Sequence, residues 1–142
     1  MHEAANGHTP RVYKSFFTVS KHPLPQPAFV IEFIAGTLIW SVMIPLAVLH
    51  AWVWVYQEVY FSVYGIPKLQ HQDFVTFDRN ELKGLSIGQK LACAYCAYGN
   101  GTAAWIKAVI NRTEVYSCAI KHKTPVVGND HQTDFAPYED YA

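Results

Sequence analysis

Three cysteines and a histidine near the end of the chain carry its most specific chemical pattern. Cys93 and Cys96 form C-x2-C, and after 21 residues Cys118 and His122 form C-x3-H. A C-x2-C knuckle chelates one metal ion from adjacent backbone turns, and C-x3-H sets a thiolate and an imidazole about one helical turn apart. Four such donors are tetrahedral Zn²⁺ chemistry. With all four positions filled, that zinc would be structural, with no site left open for hydrolysis. The same residues are also compatible with a disulfide plus one free thiol, or with three unlinked thiols. Covalent c-type haem is excluded because Ala97 follows Cys96. Thioredoxin-like redox chemistry would need a βαβ context that is not visible here.

The second chemically loaded residue is His50, inside a long apolar run with Trp52 and Trp54 close by. A neutral imidazole at membrane depth can be an axial ligand to haem or to a chlorophyll-type pigment. The competing reading is a hydrogen bond from His50 to a neighbouring helix.

Elements must position these groups. Around the cysteines, Gly99-Asn100-Gly101 predicts a turn and Thr102 an N-cap. A helix over about Ala103 to Cys118 then follows, with Ala104, Ile106, Val109, Ile110 and Val115 apolar and His122 just beyond its end. Arg112 and Glu114 are two residues apart, so they point to different faces and do not pair with each other. Either one supports His122, meets a partner, or lies on a solvated face.

The run Cys93-Ala-Tyr-Cys96-Ala-Tyr98-Gly-Asn100-Gly101, with Arg112-Thr113-Glu114, Tyr116, Cys118 and Ile120-Lys121-His122 further on, resembles the C-terminal signature of a group of small, uncharacterised bacterial membrane proteins. The likeness covers about thirty residues. The chain departs from it at Ser117 and Ala119, where the group has an aromatic residue and a proline. The resemblance implies a bacterial origin and a shared site, and it brings no activity with it.

The dominant element is the stretch from Phe33 to Gln57, which has no Asp, Glu, Lys or Arg. At about 1.5 Å per residue it would be roughly 37 Å long as a helix, and a bilayer core needs only about 20 apolar residues. The expected fold is therefore mainly α: a single-pass transmembrane helix over 28–64, preceded by an extended N-terminal arm over 1–27. A connector over 65–85, a small metal-stapled helical domain over 86–122 and a polar tail over 123–142 follow. Pro23, Pro25 and Pro27 favour an extended approach to the membrane. Residues 1–27 lack the pattern of a signal peptide, having no apolar core between a basic start and a cleavage site. Pro45 predicts a kink in the span. The aromatic residues Trp52, Trp54, Tyr56, Tyr60, Phe61 and Tyr64 crowd its C-terminal end, at the headgroup level.

Plotted at about 100° per residue, Glu32, Gly36, Met43, Ala47, His50, Trp54 and Gln57 share one stripe. Lipid does not require such a stripe, so Glu32, Gly36, Ala47, His50 and Gln57 are expected to dock a protein neighbour. In the connector, a short strand is expected at Phe74 to Phe77. His71 with Asp73, Asp78 and Glu81 fits no ligand spacing, and these charges read as surface. In the tail, Phe135, Tyr138 and Tyr141 are candidate anchors on a partner.

Lys+Arg and Asp+Glu are 11 each, and no basic block stands out, so nucleic acid is not an implied partner. Arg11, Lys14 and Lys21 before the span favour a cytoplasmic N-terminus, whereas zinc-binding thiolates favour a cytoplasmic C-terminal domain. The second orientation is adopted, in the bacterial inner membrane. Two function classes follow. One is a non-catalytic accessory subunit of a larger, energy-transducing membrane complex, with other membrane subunits and the bilayer as partners. The other is a cofactor-bearing subunit for electron transfer or pigment binding. No nucleophile–base pair, phosphate loop or carboxylate dyad appears, so an independent enzyme is not expected.

Overall fold

The computed structural model describes residues 28–142, together with the backbone of two short strands, β1 (Tyr13–Lys14) and β2 (Val19–Ser20), paired antiparallel. The rest of the expected arm over 1–27 lies outside the described residues.

Phe29–Tyr64 is one apolar helix of 36 residues, long and apolar enough to cross a membrane. It comprises α1 (Phe29–Ser41), α2 (Met43–Tyr56), a π-helical turn at Gln57–Phe61 and α3 (Ser62–Tyr64). Glu32 lies in its first turn, where the helix dipole favours an acid. The break between α1 and α2 has a local cause. Pro45 has no N–H to offer the carbonyl four residues back, and the ladder tightens to Val42 N–H on Ile39 O at 3.2 Å before resuming with Leu46 N–H on Val42 O. Ser41 and Thr37 turn their hydroxyls back onto the carbonyls of Leu38 and Phe33.

The helix stops at Gly65, whose φ of 66° is the left-handed conformation that favours glycine. Ile66 N–H then reaches back to Phe61 O at 2.9 Å, Ile66 packs with Phe61 in the core, and Pro67 prevents continuation.

The connector holds two 3-10 turns, His71–Asp73 and Asp78–Glu81, and no strand forms over Phe74 to Phe77. This corrects the expectation of a strand. The Phe74 carbonyl is instead packed against the backbone at Gly101, in the helix that follows the connector.

Helix α4 runs unbroken over Ile87–Ser117, 31 residues. The expected turn at Gly99-Asn100-Gly101 and the helix start near Ala103 are thus also corrected. The true start is a capping box at Ser86 and Gln89. Gln89 N–H donates to Ser86 Oγ at 3.2 Å, and Ser86 N–H donates to Gln89 Oε1 at 3.0 Å. The mid-helix glycines serve packing. A Cβ on Gly101 would collide with the Phe74 carbonyl and Val75, while Gly99 lies against Met43 and Leu46 of α2. Asn100 donates its side-chain amide to the Cys96 carbonyl, one turn back in the same helix.

Cross-contacts fix the direction of α4. Tyr95 meets Ile39 and Trp40, Gly99 meets Met43, and Thr113 meets Tyr56. Residue numbers rise together, so α4 is parallel to the apolar helix and the connector returns between them. Val53, Phe61, Ile66, Trp105, Ile106 and Val109 form the core at this seam. The tail folds back on the end of α4: Ile120 bridges to Ala136, and Phe135 is 7% exposed.

Candidate functional site

The polar residues of the seam converge at one place. His50 comes from α2, His71 from the connector, and Tyr98, Thr102 and Trp105 from one face of α4. Their spacing of four and three residues stacks Tyr98, Thr102 and Trp105 on that face. The imidazoles of His50 and His71 stack with centroids 4.1 Å apart and planes 26° apart. His50 Nδ1 is 3.0 Å from the Tyr98 hydroxyl, and His71 Nε2 is 3.0 Å from the Thr102 hydroxyl, which is fully buried. Trp105 closes the cluster edge-on, 5.3 Å from His50 and 5.4 Å from His71. Burial holds His71 below the ordinary imidazole value, and the neighbouring His50 charge adds to the effect.

One turn along, Gln57 is 3% exposed and fully engaged. Its amide donates to Leu69 O at 3.1 Å and accepts from Leu69 N–H at 3.0 Å, while Trp105 Nε1–H donates to the same carbonyl. A polar cleft of about 270 Å³ opens beside this point, bounded by Trp54, Glu58, Gln70, His71 and Gln72 among others. At its rim Lys68 pairs with Glu58 at 2.6 Å.

A second cluster ties down the tail. Glu114 accepts from His131 Nε2–H at 2.6 Å and from the Gln132 amide at 2.7 Å. Its neighbours reach other segments: the Thr113 hydroxyl lies 2.7 Å from that of Tyr56, and Arg112 donates to Pro67 O at 3.2 Å. The three consecutive residues Arg112-Thr113-Glu114 therefore clamp the connector, the apolar helix and the tail. This corrects the solvated-face reading, and Glu114 holds His131 rather than His122.

The expected zinc ligands are not brought together. Cys93 and Cys96 lie on α4 with Cys118 at its end, 25 residues from Cys93, a rise of about 37 Å. His122 is exposed four residues further on. All three cysteines are free thiols, which excludes the disulfide alternative in this structure. Among the described residues, no group of three or more His, Cys, Asp or Glu is placed to hold a metal ion. The continuity of α4 is the physical reason, because a rigid helix cannot fold its two ends onto one ion.

The docking stripe is divided. His50 and Gln57 are used within the chain, which corrects their expected role toward a partner, while Glu32 and Ala47 are exposed and nothing approaches within 4 Å of a Cβ placed on Gly36. Of the expected tail anchors, Phe135 is buried in the chain itself, whereas Tyr138 and Tyr141 are exposed. For His50 as a pigment or haem ligand, the neighbours found are an imidazole, a phenol and an indole. The sequence reading missed Tyr98 and Trp105 as partners of His50, and Thr102 as the partner of His71. Their shared helical face was the available signal, obscured by the turn expected at Gly99 to Gly101. No family model, curated protein or solved structure matches the chain.

Proposed function

We propose that this protein is a non-catalytic accessory subunit, anchored by the apolar helix in a bacterial inner membrane and assembled with other membrane subunits of an energy-transducing complex. One observation carries the reading. The apolar helix keeps an exposed apolar face along its 36 residues, while its polar side chains in the C-terminal half, His50, Tyr56 and Gln57, are consumed by the chain's own second helix and connector. A helix of that length rises about 54 Å, and a tilt of about 20° shortens it only to about 51 Å, against a hydrocarbon core of about 30 Å. The surplus favours a protein neighbour at the C-terminal end, where Trp52, Val55, Val59 and Val63 are exposed at i, i+3 or i+4 spacing beside a groove of about 410 Å³. In this reading α4 packs along the apolar helix from Ile39 to Tyr56, and the carboxyl end of the chain beyond it lies on the cytoplasmic side, where the free thiol of Cys118 stays reduced.

The test is extraction in mild detergent followed by co-purification. The protein is expected to resist alkaline extraction from membranes uncleaved and to travel with larger partners, and Val59→Glu is expected to release it from them while leaving it membrane-bound. A lone 16.1 kDa monomer under the same conditions overturns the assembly. A visible haem or pigment absorbance lost in His50→Ala overturns the non-cofactor reading, and a processed N-terminus lacking Phe29–Tyr64 overturns the anchor.

A further inference from the structure

Besides the packing of Phe74 and Val75 on α4, the connector is held to the helices by two different kinds of polar contact. At Leu69, Gln57 and Trp105 supply three hydrogen bonds to its backbone. At His71, the grip is a ring stacked on His50 and one hydrogen bond to Thr102. The first kind has no group that titrates near neutral pH. The second consists of two imidazoles, whose ordinary titration lies there.

We propose that His71 is a proton-operated latch stacked on His50, in which the neutral His71 ring holds the segment Gln70 to Phe77 against α2 and α4 and its protonation releases the segment about a hinge at Leu69. This stands independently of the function proposed above.

The surroundings favour the uncharged pair. On α2, His71 faces His50. On α4 it faces Tyr98, Thr102 and Trp105, which bring hydroxyl and indole groups without charge. Within its own turn is exposed Asp73, and across the cleft Glu58 is already paired with Lys68. Among the described residues no carboxylate is bonded to the His71 ring, so a proton placed on it is not neutralised and sits at stacking distance from His50. The fixed surroundings therefore bind protons less well than the released segment does. By linkage, the latch is fully closed above the ordinary imidazole value of about 6.5 and weakens as pH falls toward the lowered value of the closed state. Release would uncover the Gly101 face of α4 and enlarge the cleft beside Trp54.

Amide hydrogen exchange of the full-length protein in nanodiscs tests this, with rates corrected for the intrinsic effect of pH. Between about pH 7.5 and about pH 5.5, protection over Gln70 to Phe77 is expected to fall about tenfold while Ile66 to Leu69 stay protected. His71→Phe keeps a ring on His50 but has no proton site, so its protection is expected to be flat across the range. In His50→Gln the midpoint is expected to rise toward the ordinary value, because the neighbouring charge is gone. A flat wild type, or the same acid response in His71→Phe, overturns the latch.

Discussion

The Tyr95 hydroxyl donates to the Ile39 carbonyl at 2.7 Å, joining α4 to the apolar helix where Pro45 disturbs the backbone ladder. The rings of Tyr95 and Trp40 meet edge-to-face at 5.0 Å beside it. Pro45 leaves the Ser41 carbonyl, four residues back, without its N–H, while Ile39 O, which already accepts from Val42 N–H, takes the Tyr95 hydroxyl as a second donor. Tyr95→Phe keeps the ring contact and loses the donor. It is expected to cost about 1 kcal/mol, read as a lower thermal midpoint in detergent. In a Pro45→Ala background the recovered N–H is directed at the Ser41 carbonyl and not at Ile39 O, so the same substitution is expected to cost about as much. A much smaller cost in that background would show that Tyr95 compensates for the proline.

Two glycines on the same helix are predicted to behave oppositely. Alanine at Gly101 meets the Phe74 carbonyl and Val75, and neither can retreat without moving the connector. Overpacking of about 1–3 kcal/mol is set against about 1 kcal/mol of helix propensity gained, so Gly101→Ala is expected to destabilise. Gly99→Ala meets Met43 Cε at an ordinary 3.6 Å and is expected to be neutral or to stabilise by up to about 1 kcal/mol. Thermal unfolding of the two variants side by side decides the matter; a stabilised Gly101→Ala contradicts the close approach.

Glu114 is the post to which the tail is tied. Glu114→Ala leaves His131 and Gln132 without their shared acceptor in a half-buried place, at a cost of about 1–3 kcal/mol to tail docking. Limited proteolysis is expected to cut within 123–142 well before the helices, as the latter keep their own core. Unchanged resistance of the tail would assign its order to Phe135 alone.

For the cysteines the expected outcome is independence. Cys93→Ser and Cys118→Ser, separated by nearly the whole of α4, are each expected to leave the thermal midpoint within about 0.5 kcal/mol of the parent, and chelators to leave it unmoved. Stoichiometric zinc lost in either variant would require α4 to break.

Much of the architecture was legible because it is written in local chemistry. The absence of charge over Phe33 to Gln57 marked the apolar helix, and Gly65 followed by Pro67 marked its end. The N-terminal start of α4 was equally local, in the S-x-x-Q of Ser86 to Gln89, but three turn-forming residues at Gly99 to Gly101 outweighed it. Gly101 answers to the Phe74 carbonyl, 27 positions earlier (101 − 74), and Gly99 to Met43 and Leu46 of α2, neither of which a local pattern reports. The C-x2-C and C-x3-H spacing failed for the same reason, since ligand spacing presumes a turn that the helix does not make. His50 stood out in the sequence as needing a hydrogen-bond or coordination partner, and its Nδ1 lies 3.0 Å from the Tyr98 hydroxyl. That the partner is Tyr98 of the same chain follows only from the parallel packing, a long-range relationship.

That parallel packing also gives the molecule an electrical polarity. Two antiparallel helices cancel their macrodipoles, whereas the apolar helix and α4 point the same way and add theirs, each equivalent to about half a charge at either end. Their amino ends, near Ala28 and Ser86, are positive together, and the opposite ends, near Gly65 and Cys118, are negative together. Lys68 and Arg112 sit beside that negative end, Arg112 donating directly to the Pro67 carbonyl just past it. With the apolar helix in a membrane as proposed, a chain with a formal net charge of zero is therefore directional in a transmembrane field.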